Sequence, residues 1–191
     1  SKIPIHIRST MSDGLGTLVT TMNRSSRGQD LIERPVTGIT YVRDVTQIRV
    51  HAGKNEFGLQ SKVFKAMAEK GISVDLINIS PNGVVYTVSE QATEGAVTIL
   101  KQKGYIPEVQ TGCAKVSAVG AGMAGVPGVA SKIVNALTEE GIQILQSSDS
   151  HNTIWVLVEQ KKMNEAVNAL HKAFHLEAEQ EESTLKHPKQ E

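Results

Sequence analysis

Val116-Ser-Ala-Val-Gly-Ala-Gly-Met-Ala-Gly-Val-Pro-Gly-Val-Ala-Ser-Lys-Ile-Val-Asn-Ala-Leu137 reads as a strand, a glycine-rich turn and a helix. Val116, Ala118 and Val119 suit a short buried strand. Gly120, Gly122, Gly125 and Gly128 supply a turn with free backbone N–H groups, and Pro127 stands where a helix can begin without missing its N–H. Val129, Ile133, Ala136 and Leu137 then recur at helical spacing. A glycine turn feeding a helix start attracts anions, because unpaired N–H groups and the helix dipole converge there. Two readings follow. Gly120-Ala-Gly-Met-Ala-Gly125 matches the dinucleotide fingerprint G-x-G-x-x-G. The alternative is the turn of a small-molecule sensor, holding a carboxylate or only reversing the chain.

The surrounding sequence decides between them by repeating itself. Shifted by 70 positions, Gly58–Tyr105 lies on Gly128–His175 without a gap. Gly58, Ser61, Lys62, Ala66, Glu69, Gly71 and Ile72 fall on Gly128, Ser131, Lys132, Ala136, Glu139, Gly141 and Ile142. Ser80, Asn82, Val88, Ala96, Val97 and Leu100 fall on Ser150, Asn152, Val158, Ala166, Val167 and Leu170. A repeat of this length sets the architecture before any motif does.

Each copy parses alike: strand (Gln47–Ala52; Lys115–Gly120), helix (Leu59–Lys70; Val129–Glu140) and second strand (Ile72–Ile79; Ile142–Ser148). A polar turn, a third strand (Val84–Val88; Thr153–Val158) and a second helix (Thr93–Lys103; Met163–Phe174) complete it. Gly71 and Gly141 stand where a helix ends. The first copy adds a fourth strand, Ile106–Val109, and the second does not. A spare strand lies upstream at Val36–Val42, closed by Arg43-Asp44, and is expected to complete the second sheet. The fold class is therefore α+β, two ferredoxin-like βαββαβ modules whose antiparallel sheets carry helices on one face. The helix-free faces or edges must find partners, so modules or subunits should pair.

Composition narrows the function. Twenty basic and 20 acidic residues cancel, so there is no bulk drive toward nucleic acid. Aromatics at 4% are too few for a base-stacking platform. No apolar run suggests a membrane span or signal peptide, and the single Cys113 fits a reducing, cytoplasmic compartment. The first residue is Ser1, as in a processed or excised piece of something longer. The six histidines show no metal-ligand spacing, and no nucleophile–base arrangement has supporting context.

The tandem module resembles a pair of ACT domains, and the chain resembles the C-terminal regulatory part of aspartate kinase. The likeness rests on Val36-Thr-Gly-Ile-Thr, Gly58-Leu-Gln-Ser-Lys-Val-Phe-Lys-Ala-Met, Ile72-Ser-Val-Asp-Leu-Ile, Val116-Ser-Ala-Val-Gly-Ala-Gly-Met and Pro127-Gly-Val. Ile3–Arg8 and Gly16-Thr-Leu-Val19 look like the end of that family's catalytic domain, whose Lys-Phe-Gly-Gly-Thr-Ser phosphate loop is absent. The resemblance divides the chain into residues 1–35 (end of a kinase domain and a linker), 45–112 (first module), 36–44 plus 113–176 (second module) and 177–191 (disordered tail).

The resemblance further implies a non-catalytic, homodimeric region that senses an end-product amino acid: lysine, threonine or meso-diaminopimelate. It would pass feedback inhibition to a kinase domain that itself holds ATP and Mg, leaving no cofactor and no metal in this chain. Effectors in such enzymes bind where the first module of one subunit meets the second of another. Carried across, the effector residues are Asn55, Gly58, Leu59 and Gln60 with Asn78, Ile79 and Ser80. Ser148, Asn152 and Thr153 would face them from the other subunit. Relatives often show Lys-Pro-Gly where Glu56-Phe57-Gly58 stands, and aspartate where Asn55 stands. Glu56 and Asp149 are the nearby acids available to a basic effector. The alternatives are a nucleotide-binding enzyme using Gly120–Gly125 and a purely structural dimerisation module.

Overall fold

A computed structural model of the chain describes residues 5–7, 17–19, 35–53, 56–121, 123 and 126–176, and divides it into units 1–35 and 36–191. In the first unit, β1 (Ile5–Ile7) pairs antiparallel with β2 (Thr17–Val19). The second strand falls within Ser12–Pro35, which the sequence presents as a loop or linker. Thr17-Leu-Val19 is too short to show periodicity, yet its residues suit a pleated ribbon.

The larger unit contains β3 (Gly38–His51), α1 (Leu59–Glu69), β4 (Asp75–Ser80), β5 (Gly83–Ser89), α2 (Thr93–Gln102) and β6 (Glu108–Val119). It continues with α3 (Val129–Glu139), β7 (Gln146–Asp149), β8 (Thr153–Glu159) and α4 (Met163–Ala173). All its strands join one six-stranded sheet in the order β4-β5-β3-β6-β8-β7, every pairing antiparallel.

That continuity corrects the sequence reading, which ends a strand at Arg43-Asp44 and separates Ile106–Val109 from Lys115–Gly120. Both breaks are bulges inside single strands. Asp44 (φ 57°) and Gly112 (φ 64°) take left-handed conformations, and the β3–β6 register shifts on both sides of Val45, which faces Cys113. Such insertions bend a strand without ending it. Gly38–Val42 therefore lies beside Lys115–Val119, while Gln47–Arg49 lies beside Glu108–Gln110. The two modules share β3 and β6, so the expected two sheets are halves of one. β7 is also shorter than expected: Ile142 and Ile144 pack into the core from an irregular segment.

Alternation along the strands sorts three cores. Ile48, Val50, Val84, Tyr86 and Val88 meet Leu59, Val63, Met67 and Leu100 beneath α1 and α2. Val116, Ala118, Val156 and Val158 meet Ile133, Leu137, Met163 and Leu170 beneath α3 and α4. A third, smaller cluster joins Val45, Leu76, Cys113 and Leu157, with Leu145 and Trp155 packed against it. Cys113 and Leu157 belong to strands whose neighbouring residues face the helices, so this cluster lies on the helix-free side. The bare faces of the two modules thus meet each other in part within one chain. Burial raises the Cys113 thiol pKa, as befits an inert core residue.

Candidate functional site

Gly58 starts α1 in the left-handed conformation (φ 79°, ψ 15°), and among the described residues no side chain caps the helix. The first intrahelical bond runs from the Lys62 N–H to the Gly58 carbonyl at 3.2 Å. No acidic residue occupies the first turn, so the N–H groups ahead of Lys62 have no carboxylate of their own in that turn. Leu59 is wholly buried, backbone included, and anchors the helix start in the first core. Gln60 spans a gap: its Nε2 donates to the Ser80 carbonyl at 3.3 Å, tying the helix start to the end of β4.

Ser80 organises the adjoining hairpin. Its Oγ accepts the Asn82 N–H at 3.3 Å and donates to the Gly83 carbonyl at 3.4 Å. Asn78 and Ile79 are exposed, opposite Val85 and Val84 on β5. Gly58, Gln60 and Ser80 are thus brought to one end of the first module, with Asn78 and Ile79 on the same strand end. Asn55 lies outside the described residues.

Glu56 does not stand free. Its carboxylate accepts the Gly53 N–H at 3.0 Å and the Tyr105 hydroxyl at 3.1 Å, with Lys62 Nζ at 3.6 Å. The Gly53 N–H is the largest influence on it, and with Tyr105 and Lys62 holds the carboxyl below its usual range. Burial and then Glu56 itself push the Tyr105 hydroxyl up. Glu56 therefore folds the loop between β3 and α1 and is engaged within it.

The second group of residues sits in the other module. Ser148 faces Trp155 across β7 and β8, Thr153 faces Val119, and the Asn152 carbonyl accepts the Gly120 N–H at 2.9 Å. Among the described residues no hydrogen bond joins this group to the first. Asp149 is exposed at the end of β7.

The glycine stretch fares differently. The Gly120 amide is spent on Asn152, and α3 leads into the β7–β8 hairpin, where a dinucleotide fold needs a parallel crossover. Gly122, Ala124 and Gly125 lie outside the described residues. Gly128 begins α3 as Gly58 begins α1, left-handed at φ 90° and, among the described residues, without a side-chain cap. The residue matching Gln60 is Ala130, which has no side chain to reach the strand end.

One cavity lies where sequence offers no motif. A cleft of 420 Å³ runs between the β3 bulge, the Gly71–Ser73 loop and the end of β5, with Arg43, Asp44, Asp75 and Lys115 among its walls. Lys115 binds the Asp75 carboxylate there. Its walls come from residues distant in sequence, which periodicity cannot assemble. Among the described residues no group of three metal-ligating side chains forms, and no helix is long and apolar enough to cross a membrane.

Comparison with known proteins places this arrangement. The ACT domain family matches residues 108–172. Aspartokinase 1 of Bacillus subtilis is 57% identical over 176 residues, 92% of this chain and 44% of that protein. The solved regulatory subunit of aspartate kinase from Thermus thermophilus, in its ligand-free form, is 31% identical with a TM-score of 0.68, covering 74% of this chain and 99% of that one. A structure of aspartokinase alpha and beta subunits gives 34% identity and a TM-score of 0.70, again covering 74% of this chain and 99% of the other. The chain spans about 44% of the length of the curated relatives it matches.

Proposed function

Because this chain belongs to the family of ACT-domain regulatory regions of aspartate kinases, we propose that it senses an end-product amino acid and transmits feedback inhibition to a catalytic domain. The observation that carries the site is the Gln60 link between an uncapped helix start and the Ser80 carbonyl. An α-carboxylate suits the N–H groups of Gln60 and Ser61 in the first turn of α1, a position that favours anions. Asn78, Ser80 and the strand-end carbonyls are placed to accept from an α-ammonium. Asn55, Gly58, Leu59, Gln60, Asn78, Ile79 and Ser80 make up one side of the site. Ser148, Asn152 and Thr153 of a second copy supply the other. Ala130 leaves the second module without the equivalent link, which supports placing the effector on the first.

The effector class is lysine, threonine or meso-diaminopimelate. Dimerisation runs through the modules, whose β4 edge exposes Ile77 and Ile79. Coupling requires only that the effector bind one quaternary arrangement better than another. Phosphoryl transfer from ATP to aspartate, with its Mg, belongs to the catalytic domain, and residues 1–35 would be its end and the linker from it.

Titration calorimetry of the chain with the three amino acids tests this reading. Binding by one of them is expected, and Gln60→Ala should weaken it by roughly tenfold, the worth of one hydrogen bond to a charged site. Heat from none of the three would overturn the reading. Unchanged affinity in Gln60→Ala would move the site elsewhere.

A further inference from the structure

Gln146 begins β7 in the second module, yet its side-chain amide is engaged by the first. Gln47 Nε2, on β3, donates to Gln146 Oε1 at 2.8 Å, and Gln146 Nε2 donates to the Leu76 carbonyl on β4. Gln47 is only 5% exposed and Gln146 is half-buried, so the relay is partly shielded from water. Leu76 is a bulge. Asp75 faces Thr87 and Asn78 faces Val85, so three steps on β4 match two on β5. Its φ of 45° is one that a leucine seldom adopts, and its side chain, 4% exposed, fills the cluster with Val45, Cys113 and Leu157. The Asp75 carboxylate accepts the Leu76 N–H at 2.8 Å and binds Lys115 on β6. Both backbone polar groups of Leu76 are thus held, the carbonyl by the other module. Asn78, Ile79 and Ser80 follow on the same short strand, with only Ile77 between them and Leu76.

We propose that the Leu76 bulge is the element through which occupancy at Asn78–Ser80 reaches the second module, with Gln146 as the positioning residue that holds it. The inference rests on reading Asn78–Ser80 as part of the effector site. A bulge does not deform gradually. Either the extra residue stays, with Leu76 in the cluster between the modules, or β4 slips by one residue. A slip turns Leu76 out and reverses the faces on which Asn78, Ile79 and Ser80 point. Packed elements of this kind have discrete arrangements, so a ligand that selects one register of β4 also selects the seating of Leu76 against Leu157 and Trp155. By reciprocity, weakening the hold on Leu76 loosens the ligand residues.

Amide hydrogen exchange on the full chain, with no ligand present, tests this directly. In Gln146→Leu the amides of residues 77–80 should exchange at least about tenfold faster, the scale of one lost buried hydrogen bond, while those of α3 keep their protection. Gln160→Leu is the control. It breaks a different long-range side-chain link, Gln160 with Asp44 inside the second module, and should leave residues 77–80 unchanged. Gln47→Leu removes the far end of the relay and serves if Gln146→Leu does not fold. Unchanged exchange at 77–80 in the folded variant overturns the proposal. A ligand arm separates it from the effector reading. Lysine, threonine and meso-diaminopimelate are added in turn while emission of the single tryptophan, Trp155, is followed. Binding heat without a change at Trp155 overturns the transmission and spares the effector site. Heat from none of the three overturns the effector site, and the exchange result still decides whether Gln146 controls β4.

Discussion

Lys115 on β6 binds the carboxylate of Asp75 on β4, one strand at the centre of the shared sheet and the other at its edge. Burial raises the Asp75 pKa, but the Lys115 ammonium and the Leu76 N–H together outweigh it, and the net effect is a carboxyl below its usual range. A depressed carboxylate contributes stability above its unfolded pKa and loses it as pH falls through the folded value. The contribution is therefore intact near neutrality and disappears below about pH 4. Asp75 is largely exposed, so solvent screening limits the pair to about 1 kcal/mol or less. Urea unfolding should show Asp75→Asn less stable than the parent at pH 7, with the difference closing at about pH 3. A difference that persists in acid would mean the carboxylate charge is irrelevant.

Two glycines with positive φ should respond very differently to alanine. At Gly83 (φ 149°) a Cβ would come within 2.3 Å of the Val50 carbonyl oxygen, a backbone atom that cannot step aside. At Gly58 (φ 79°) a Cβ meets nothing within 4 Å, leaving only the backbone preference. Gly58→Ala should cost about 1–2 kcal/mol. Gly83→Ala should exceed about 3 kcal/mol or prevent folding, because the β5 backbone must shift. Denaturant midpoints for the two variants give the comparison, and equal costs would contradict the hairpin geometry.

Tyr86 is fully buried in the first core, edge-on to Phe64 at 5.6 Å, and its hydroxyl has no hydrogen-bond partner among the described residues. Burial pushes its pKa up to about 12. Removing an unpaired buried hydroxyl while keeping the ring relieves a desolvation cost. Tyr86→Phe should leave stability unchanged or raise it by about 1 kcal/mol, read from thermal and urea unfolding. A loss beyond about 1 kcal/mol would reveal a partner for that hydroxyl.

Repetition made the fold readable. The 70-residue shift aligned helices and strands whose apolar positions need no tertiary context, and Gly71 and Gly141 ended their helices on cue, both with positive φ. The join between modules was not readable, because Asp44 and Gly112 look the same whether the chain ends a strand or bulges within it. Only the partner strand decides, and Val45 opposite Cys113 supplies that register. Leu76 was hidden for the same reason: Val74, Leu76 and Asn78 alternate like any strand, and the inserted residue shows only against β5. The helix-start loop is named through the family resemblance, and the hydrogen bonds that engage Glu56 are not legible in the sequence. The partners of Glu56, namely Gly53, Tyr105 and Lys62, lie up to 49 positions away from it and carry no motif.

Amide chemical-shift mapping of the whole chain during titration with lysine, threonine, meso-diaminopimelate and NAD bears most directly on the central claim, that the first module's helix start is the amino-acid site. One amino acid should move the amides of Gly58–Lys62 and Asn78–Ser80, with smaller changes in the Ser148–Thr153 hairpin. Shifts confined to Gly120–Val129 on adding NAD, with none from the amino acids, would contradict it.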